Sequence, residues 1–592
     1  MRRMFELNDG WRRVPAAKSF ADAAARVEAD GEDVSLPRIG SGAQGCGWYL
    51  LQLSGPLSKL QAGSGECIWL EFDGVGPVAE VFADGISLLR HEGAGSRFRA
   101  ELTGFITDGA CPLLAVAVSD DAFYPNSREF PAFSGFGGGV RLLALPQAHF
   151  SMEYMGSTGI KVQTALHEDS AEVTVELWAQ GPAKSAEVFL EEKSERVRFR
   201  AGYAQAVFTL PSPHLWQGVC DPYLYTVTAR MDSGDEVSTR FGIRSMTLDA
   251  GRGFLLNGKP YPLHGLCCRP VAGSGTALHL TGRQELLALR SLGANALRLQ
   301  WLQFSQQVYD ICDELGLVVW TEIPFAETHI PTGYYTIFSQ LLEQIVQNAS
   351  HPCVACWGIS HGIGTAALTS PLVLHEHWLL NSLCHTRDAG RSTVISHSAC
   401  IQDEDPLLEI ADTNCFDIRC TAPAALQREL EKLELYHRRY PGSSVGVSCY
   451  GGTQPRHLLH LHEMMLAAQK KRPWLWGAFG ADVRPCAEEQ PSADVLQRDL
   501  HALYRAHWTA EPMVHICGGD VQQCQTPQTE LTVYTNRPEA ALYMDGRLIA
   551  LQGGTPVLHF TLQLTEAHTV EVRTSCCNAV CRLVYTAARS AG

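Results

Sequence analysis

Short runs of alternating apolar and polar residues fill the first quarter of the chain. Ile68-Trp69-Leu70-Glu71-Phe72-Asp73-Gly74-Val75 and Ala79-Glu80-Val81-Phe82-Ala83-Asp84-Gly85 are two of them, and Asp84-Gly85 is a good hairpin-turn signal. A period of two puts successive side chains on opposite faces, so each run predicts a strand. With no long helical period in residues 1–150, this stretch is expected to be a jelly roll or β-sandwich. The alternation continues over 151–245, through Glu172-Val173-Thr174-Val175-Glu176-Leu177-Trp178 and Leu224-Tyr225-Thr226-Val227-Thr228-Ala229-Arg230. Short strands over that length predict an immunoglobulin-like sandwich.

Beyond Arg244 the period changes. Residues 281–292, 306–315 and 334–348 are helix-like, and 295–299, 317–320 and 353–359 read as short apolar strands. This strand–helix repetition over 246–510 predicts a central (β/α)8 TIM barrel, whose chemistry belongs on the loops that follow its strands. From 511 to 592 the alternation returns, with Leu531-Thr532-Val533-Tyr534-Thr535-Asn536 and Ala541-Leu542-Tyr543-Met544-Asp545-Gly546, and predicts a C-terminal immunoglobulin-like β-sandwich. The expected fold is thus a barrel flanked by all-β domains.

Composition narrows the partners. At 45% hydrophobic and 19% charged, the chain is far from the disordered class. Its formal charge of −16 argues against nucleic acid or an anionic membrane as the main partner. Arg2 and Arg3 are not followed by an apolar run, so neither a signal peptide nor a membrane span is expected, and a cytoplasmic location is. The 20 cysteines are scattered, many inside apolar runs, which predicts buried reduced thiols rather than a disulfide framework.

Several motifs occur in an order that resembles glycoside hydrolase family 2, the family of β-galactosidases, β-glucuronidases and β-mannosidases. Gly47-Trp48-Tyr49 and Phe136-Gly137-Gly138-Gly139-Val140-Arg141 are similar to its sugar-binding domain. Leu215-Trp216, Pro222-Tyr223-Leu224-Tyr225 and Phe241-Gly242-Ile243-Arg244 are similar to the end of its immunoglobulin-like domain. Phe254-Leu255-Leu256-Asn257-Gly258-Lys259-Pro260 and His264-Gly265 resemble the start of its barrel, and the stretch from Tyr309 to Pro324 is the most specific match.

Retaining glycosidases of this kind use two carboxyl groups about 5–5.5 Å apart, one as acid/base and one as nucleophile. The resemblance places the first at the end of a W-S-L-G-N-E pattern and the second in S-E-Y/F-G. Here the first reads Trp357-Gly358-Ile359-Ser360-His361-Gly362, and the second reads Ser448-Cys449-Tyr450-Gly451. The expected acid/base position is therefore Gly362 and the expected nucleophile position is Cys449, and no catalytic pair is intact. Glycine moves no proton, and general acid catalysis is typically worth about 10²–10⁴-fold. The substrate shell differs too. The family's R-T-S-H-Y-P run reads Arg298-Leu299-Gln300-Trp301-Leu302-Gln303, the run after Gly265 reads Cys267-Cys268-Arg269-Pro270, and the aromatic expected four residues before Asp482 is Ala478. Asn414 still matches a barrel asparagine. Arg298, Trp301, Trp357 and Asn414 are the expected substrate-binding residues.

His361 and Cys449 are expected to face one mouth, where an imidazole–thiolate couple is the sharp alternative to a solvated histidine and an inert thiol. Glu322 resembles a barrel-mouth carboxylate that supports the site, and it is a weaker candidate for a substitute nucleophile. Glu327, Asp403, Glu404 and Asp405 are loop acids whose spacing pairs none of them. His457, His460 and His462 cluster beside Glu463 without the i,i+4 pair of a helical zinc motif, so a partly exposed helix surface is expected. Trp474 and Trp476 read as barrel core or aromatic floor. Gly135 to Gly139 lacks the helix and lysine of a phosphate loop. No metal and no cofactor are expected.

These readings predict a family 2-like pseudo-glycosidase, hydrolytically inactive and with residual carbohydrate binding. One alternative is an active β-glycosidase of the β-galactosidase or β-glucuronidase type that uses other residues, or a thiol-dependent activity through Cys449 and His361. Another is a structural subunit with a filled pocket. A carbohydrate ligand fits the first reading, a homo-oligomer is compatible with it, and no nucleic-acid or membrane partner is expected.

Overall fold

The computed structural model describes residues 2–41, 45–60, 65–106, 111–120, 133–269, 282–325, 333–362, 370–398, 406–452, 455–483, 495–554 and 556–585. The loop acids Glu327, Asp403, Glu404 and Asp405 lie outside these residues.

Four antiparallel strands (Arg3–Glu6, Val140–Leu145, Cys67–Asp73 and Arg97–Glu101 in spatial order) form the first sheet. A six-stranded sheet runs from Glu32–Val34 through Trp11–Val14, Gly47–Gln52, Leu113–Ser119 and Val78–Ala83 to Ile86–Glu92. The two share one core around Trp11, Tyr49, Phe72 and Phe136. A helix, Phe20–Asp30, interrupts this strand-rich stretch and corrects the all-strand expectation there. Ser19 caps it by accepting the Asp22 N–H at 3.3 Å, and its alanines favour helix locally. Two further four-stranded sheets, built from strands between His149–Phe150 and Glu236–Phe241, share a second core around Phe150, Val175 and Phe241. Near the C-terminus a three-stranded and a five-stranded sheet enclose a smaller core.

Between them eight parallel strands close into a barrel: β1 (Gly265–Cys268), β2 (Ala296–Leu299), β3 (Val318–Glu322), β4 (Val354–His361), β5 (Ser392–His397), β6 (Thr413–Cys420), β7 (Ser444–Gly452) and β8 (Leu475–Gly480). The helices around it are α1 (Arg283–Ser291), α2 (Gln306–Leu315), α3 (Tyr334–Asn348), α4 (Pro371–Arg387), α5 (Pro423–Arg439), α6 (Pro455–Lys470) and α7 (Val495–Trp508). Trp320, Trp476 and Phe479 fill the interior, with ring centroids 5.5–5.9 Å apart. Glycines make room for them. A Cβ on Gly358 would lie 2.5 Å from Glu322 Cβ and 2.7 Å from Trp320 Nε1, and one on Gly446 would lie 2.8 Å from Trp476 Nε1.

The barrel's lower rim is tied to the preceding sandwich. Trp216 donates its indole N–H to Asp313 O at 3.0 Å, and Arg244 donates to Pro352 O at 3.1 Å and Val354 O at 2.8 Å. Burial, with Arg391 nearby, pulls the Arg244 guanidinium down to about 9. Among the described residues no helix is long and apolar enough to cross a membrane, and the cysteines are free thiols.

Candidate active site

The C-terminal ends of the strands gather one buried polar network. Arg298 on β2 and Glu322 at the end of β3 carry no exposed side-chain surface. The guanidinium grips the carboxylate through Nε to Oε2 at 3.1 Å, Nη2 to Oε1 at 3.2 Å and Nη2 to Oε2 at 2.8 Å. Its Nη1 donates to Ser448 O on β7 at 2.8 Å, and its Cζ sits 4.3 Å above the Trp320 ring. Glu322 also accepts the Trp301 backbone N–H at 3.0 Å. That bond holds Trp301 at φ +74°, a left-handed conformation that a bulky side chain rarely adopts. Burial pushes the Glu322 carboxyl up, against the pull of Arg298.

His361 ends β4 and joins the same network. Its Nδ1 accepts from Arg298 Nη2 at 2.8 Å and lies 3.1 Å from Ser396 Oγ. Burial first, and then the positive charges of Arg298, Arg419 and Arg269, hold its imidazole well below the ordinary histidine value. It is therefore a neutral acceptor. Gly362 follows at φ +62°, with its N–H donated to Ser396 O at 2.7 Å.

Cys449 is fully buried on β7. Arg269, the residue after β1, lies 3.9 Å from its sulfur and donates Nε to Gln300 Oε1 at 2.9 Å. Cys449 also meets Cys267. The Cys267 hydrogen bond, aided by Arg269 and Arg419, holds the Cys449 thiol below its ordinary value, while burial pushes Cys267 well up.

A second acid–arginine pair stands beside it. Asp417 on β6 is directly in register with Cys449 on β7. Arg419, two residues on and on the same strand face, binds it through Nε at 3.0 and 3.1 Å and Nη2 at 2.9 Å. Neither residue carries a motif. The only signal in the sequence was the i,i+2 spacing of opposite charges inside an apolar strand.

The family model described as Glycosyl hydrolases family 2 matches residues 147–244. A β-glucuronidase of Bacteroides fragilis is 26% identical over 556 residues, covering 81% of this chain and 78% of that protein. The β-galactosidase BoGH2A of Bacteroides ovatus is 27% identical over 426 residues, covering 65% and 49%. In three dimensions the chain superposes on an FMN-binding β-glucuronidase from Facaelibacterium prausnitzii L2-6 with a TM-score of 0.87 at 26% identity, covering 100% and 99%. These likenesses support membership of glycosyl hydrolase family 2.

Not every residue that the family pattern singles out reaches the mouth. Trp357 is fully buried in the barrel wall and donates Nε1 to Asp388 Oδ2 at 3.2 Å, with Arg391 Cζ 5.6 Å from its ring. Asp388 and Arg391 belong to the turn before β5, so Trp357 faces the lower rim and not a ligand. Asn414 faces outward as well. Its amide donates to Leu408 O at 2.9 Å and Tyr436 Oη at 3.4 Å and accepts from His397 Nε2 at 2.8 Å, which commits it to the scaffold. Trp301 is 2% exposed and lies under Arg269, whose Cζ is 5.1 Å from its ring.

The histidine-rich face of α6 divides. His460 is exposed, but His462 is fully buried, its Nδ1 2.7 Å from Tyr504 Oη, which corrects the expected surface cluster. Trp476 is barrel core, and Trp474 stacks on His437 at 4.1 Å. Ala478 is buried in β8.

Proposed function

We propose that this family 2 chain binds an acidic carbohydrate at its barrel mouth without hydrolysing it by double displacement. The observation that carries this reading is the commitment of Glu322 and Asp417 to arginines. Glu322 is locked to Arg298 and Asp417 to Arg419, while Gly362 and Cys449 offer no oxygen. A carboxylate whose oxygens are held by a bidentate arginine is a poor nucleophile. Arg269, Arg298 and Arg419 all act on His361 at this rim. Arginine guanidinium groups suit a sugar carboxylate, and the relatives named β-glucuronidase put uronides first among the sugars to test.

The thiol route lacks its base. His361 has its Nδ1 on Arg298 and is held neutral far below the range in which an imidazole takes a thiol proton at pH 7. The same reading assigns 1–150 to a jelly-roll domain, 151–245 to an immunoglobulin-like domain, 246–510 to the barrel and 511–592 to a C-terminal sandwich, limits that proteolytic mapping tests. Nitrophenol release from a panel of aryl glucuronides, galactosides and mannosides is expected to stay at the buffer rate, while calorimetry with glucuronate gives saturable heat. FMN joins the binding panel because of the flavin-binding structural relative. Turnover that Glu322→Gln or Asp417→Asn abolishes would sink the proposal.

A further inference from the structure

Away from the mouth, α7 and the first strand of the C-terminal sheets, Val514–Ile516, bring three ligand-type side chains together. Asp499, His515 and Cys517 each offer one donor atom, all within 4.8 Å of one another. The local geometry follows from spacing. His515 and Cys517 are two residues apart on extended chain, so they share a face, while Ile516 turns into the sandwich core. Cys517 prolongs the ladder, its N–H donated to Thr532 O at 3.0 Å. Asp499 meets that face from the helix. Its Oδ1 lies 2.7 Å from His515 Nε2, and its Oδ2 accepts the Gly518 N–H at 2.9 Å.

We propose that Asp499, His515 and Cys517 bind a thiophilic divalent cation of the zinc type, which clamps α7 to the C-terminal sheets. A set of one thiolate, one imidazole and one carboxylate suits zinc and disfavours calcium and magnesium, which take oxygen ligands. At zinc bond lengths of about 2.0–2.3 Å, tetrahedral neighbours stand about 3.3–3.8 Å apart. Donor atoms already within 4.8 Å of one another need shifts of only about an ångström to reach these separations. On binding, the Cys517 S–H proton leaves to solvent and a metal–sulfur bond replaces it, while the His515 ring proton resides on Nδ1 so that Nε2 is free to ligate. Zinc takes the fourth ligand from water. Because binding releases the thiol proton, affinity falls as pH drops.

An access route exists, since the His515 side chain is 28% exposed. A second group of the same composition, Asp313, His351 and Cys353, is less accessible. Its Cys353 is fully buried and its His351 side chain only 12% exposed.

The test uses the full-length protein, loaded with zinc, desalted and measured by elemental mass spectrometry. About one zinc per chain is expected, falling to below about 0.2 in His515→Asn and in Cys517→Ser. Cobalt in place of zinc is expected to give a thiolate-to-metal charge-transfer band that Cys517→Ser removes. The band is read on folded wild-type protein, so instability of a variant does not mask the result. No retained zinc in the wild type, a zinc ratio unchanged in both variants, or a cobalt band that survives Cys517→Ser would each overturn the proposal.

Discussion

Arg298 and Glu322 form a two-pronged ion pair in which neither side chain touches solvent. Removing one partner from such a pair leaves a bare buried charge, a loss of about 3–5 kcal/mol. Arg298→Met is expected to destabilise the barrel by that amount. The double variant Arg298→Met/Glu322→Leu is expected to lose less than the sum of the two single changes, although it still orphans the Trp301 N–H and Ser448 O. Urea unfolding followed by tryptophan fluorescence measures the cycle. Strict additivity would mean that the pair is not coupled as its geometry requires.

Buried histidines set the acid limb of stability. Burial lowers His462 to about 3 and His507 to about 4, and His361 moves in the same direction. In the unfolded chain each takes a proton near pH 6.5. Between that pH and the folded value the unfolded state binds more protons, so stability present above about pH 6.5 is lost as pH falls. The slope approaches 1.4 kcal/mol per pH unit for each fully buried histidine, up to about that value for His462 and less for the half-buried His507. Urea midpoints at pH 7, 6 and 5 are expected to fall in the wild type and to fall less steeply in His462→Asn. Parallel slopes would remove His462 from the account.

The sequence exposed the barrel because its strands are apolar runs at helix-separated intervals, a period that packing enforces. It also located the ends of β4 and β7, since Gly362 and Cys449 sit there within otherwise family-like strings. It misjudged which way Trp357 faces. A register shift precedes it, since Val319 pairs with Val354 but Trp320 with Cys356, and one extra residue inverts the inward–outward alternation beyond it. Asp417 and Arg419 stayed hidden because mutual neutralisation inside a strand leaves no motif. Asp499, His515 and Cys517 stayed hidden because tertiary contact, not spacing, joins the helix to the strand.

Gly362 holds a left-handed backbone. At φ +62° a residue with a Cβ pays a conformational cost of about 1–2 kcal/mol. Space does not add to it, because the added Cβ would meet only Ser398 Cβ, at 3.4 Å. Gly362→Ala is therefore expected to lower stability by about that amount in urea unfolding, and an unchanged midpoint would contradict the left-handed backbone. Gly362→Glu restores a carboxyl to the rim but leaves position 449 without a nucleophile, so the aryl-glycoside panel is expected to remain silent.

Thiol reactivity separates the binding reading from the thiol-dependent one. Cys111, Cys220 and Cys576 are exposed, and the Ser575 hydroxyl helps to hold the Cys576 thiol below its ordinary value. Cys449 has the lowered thiol of its pair with Cys267 but no exposed surface. Alkylation requires both a thiolate and access for the reagent. Brief iodoacetamide treatment at pH 7, followed by peptide mapping, is therefore expected to modify Cys576 first and Cys449 more slowly by on the order of ten-fold or more. Labelling of Cys449 as fast as Cys576 would mean that the Arg269 side chain swings away and opens the sulfur to small molecules. A sulfur so exposed beside two arginines is an activated nucleophile, and the mouth would then have to be read as a reactive site.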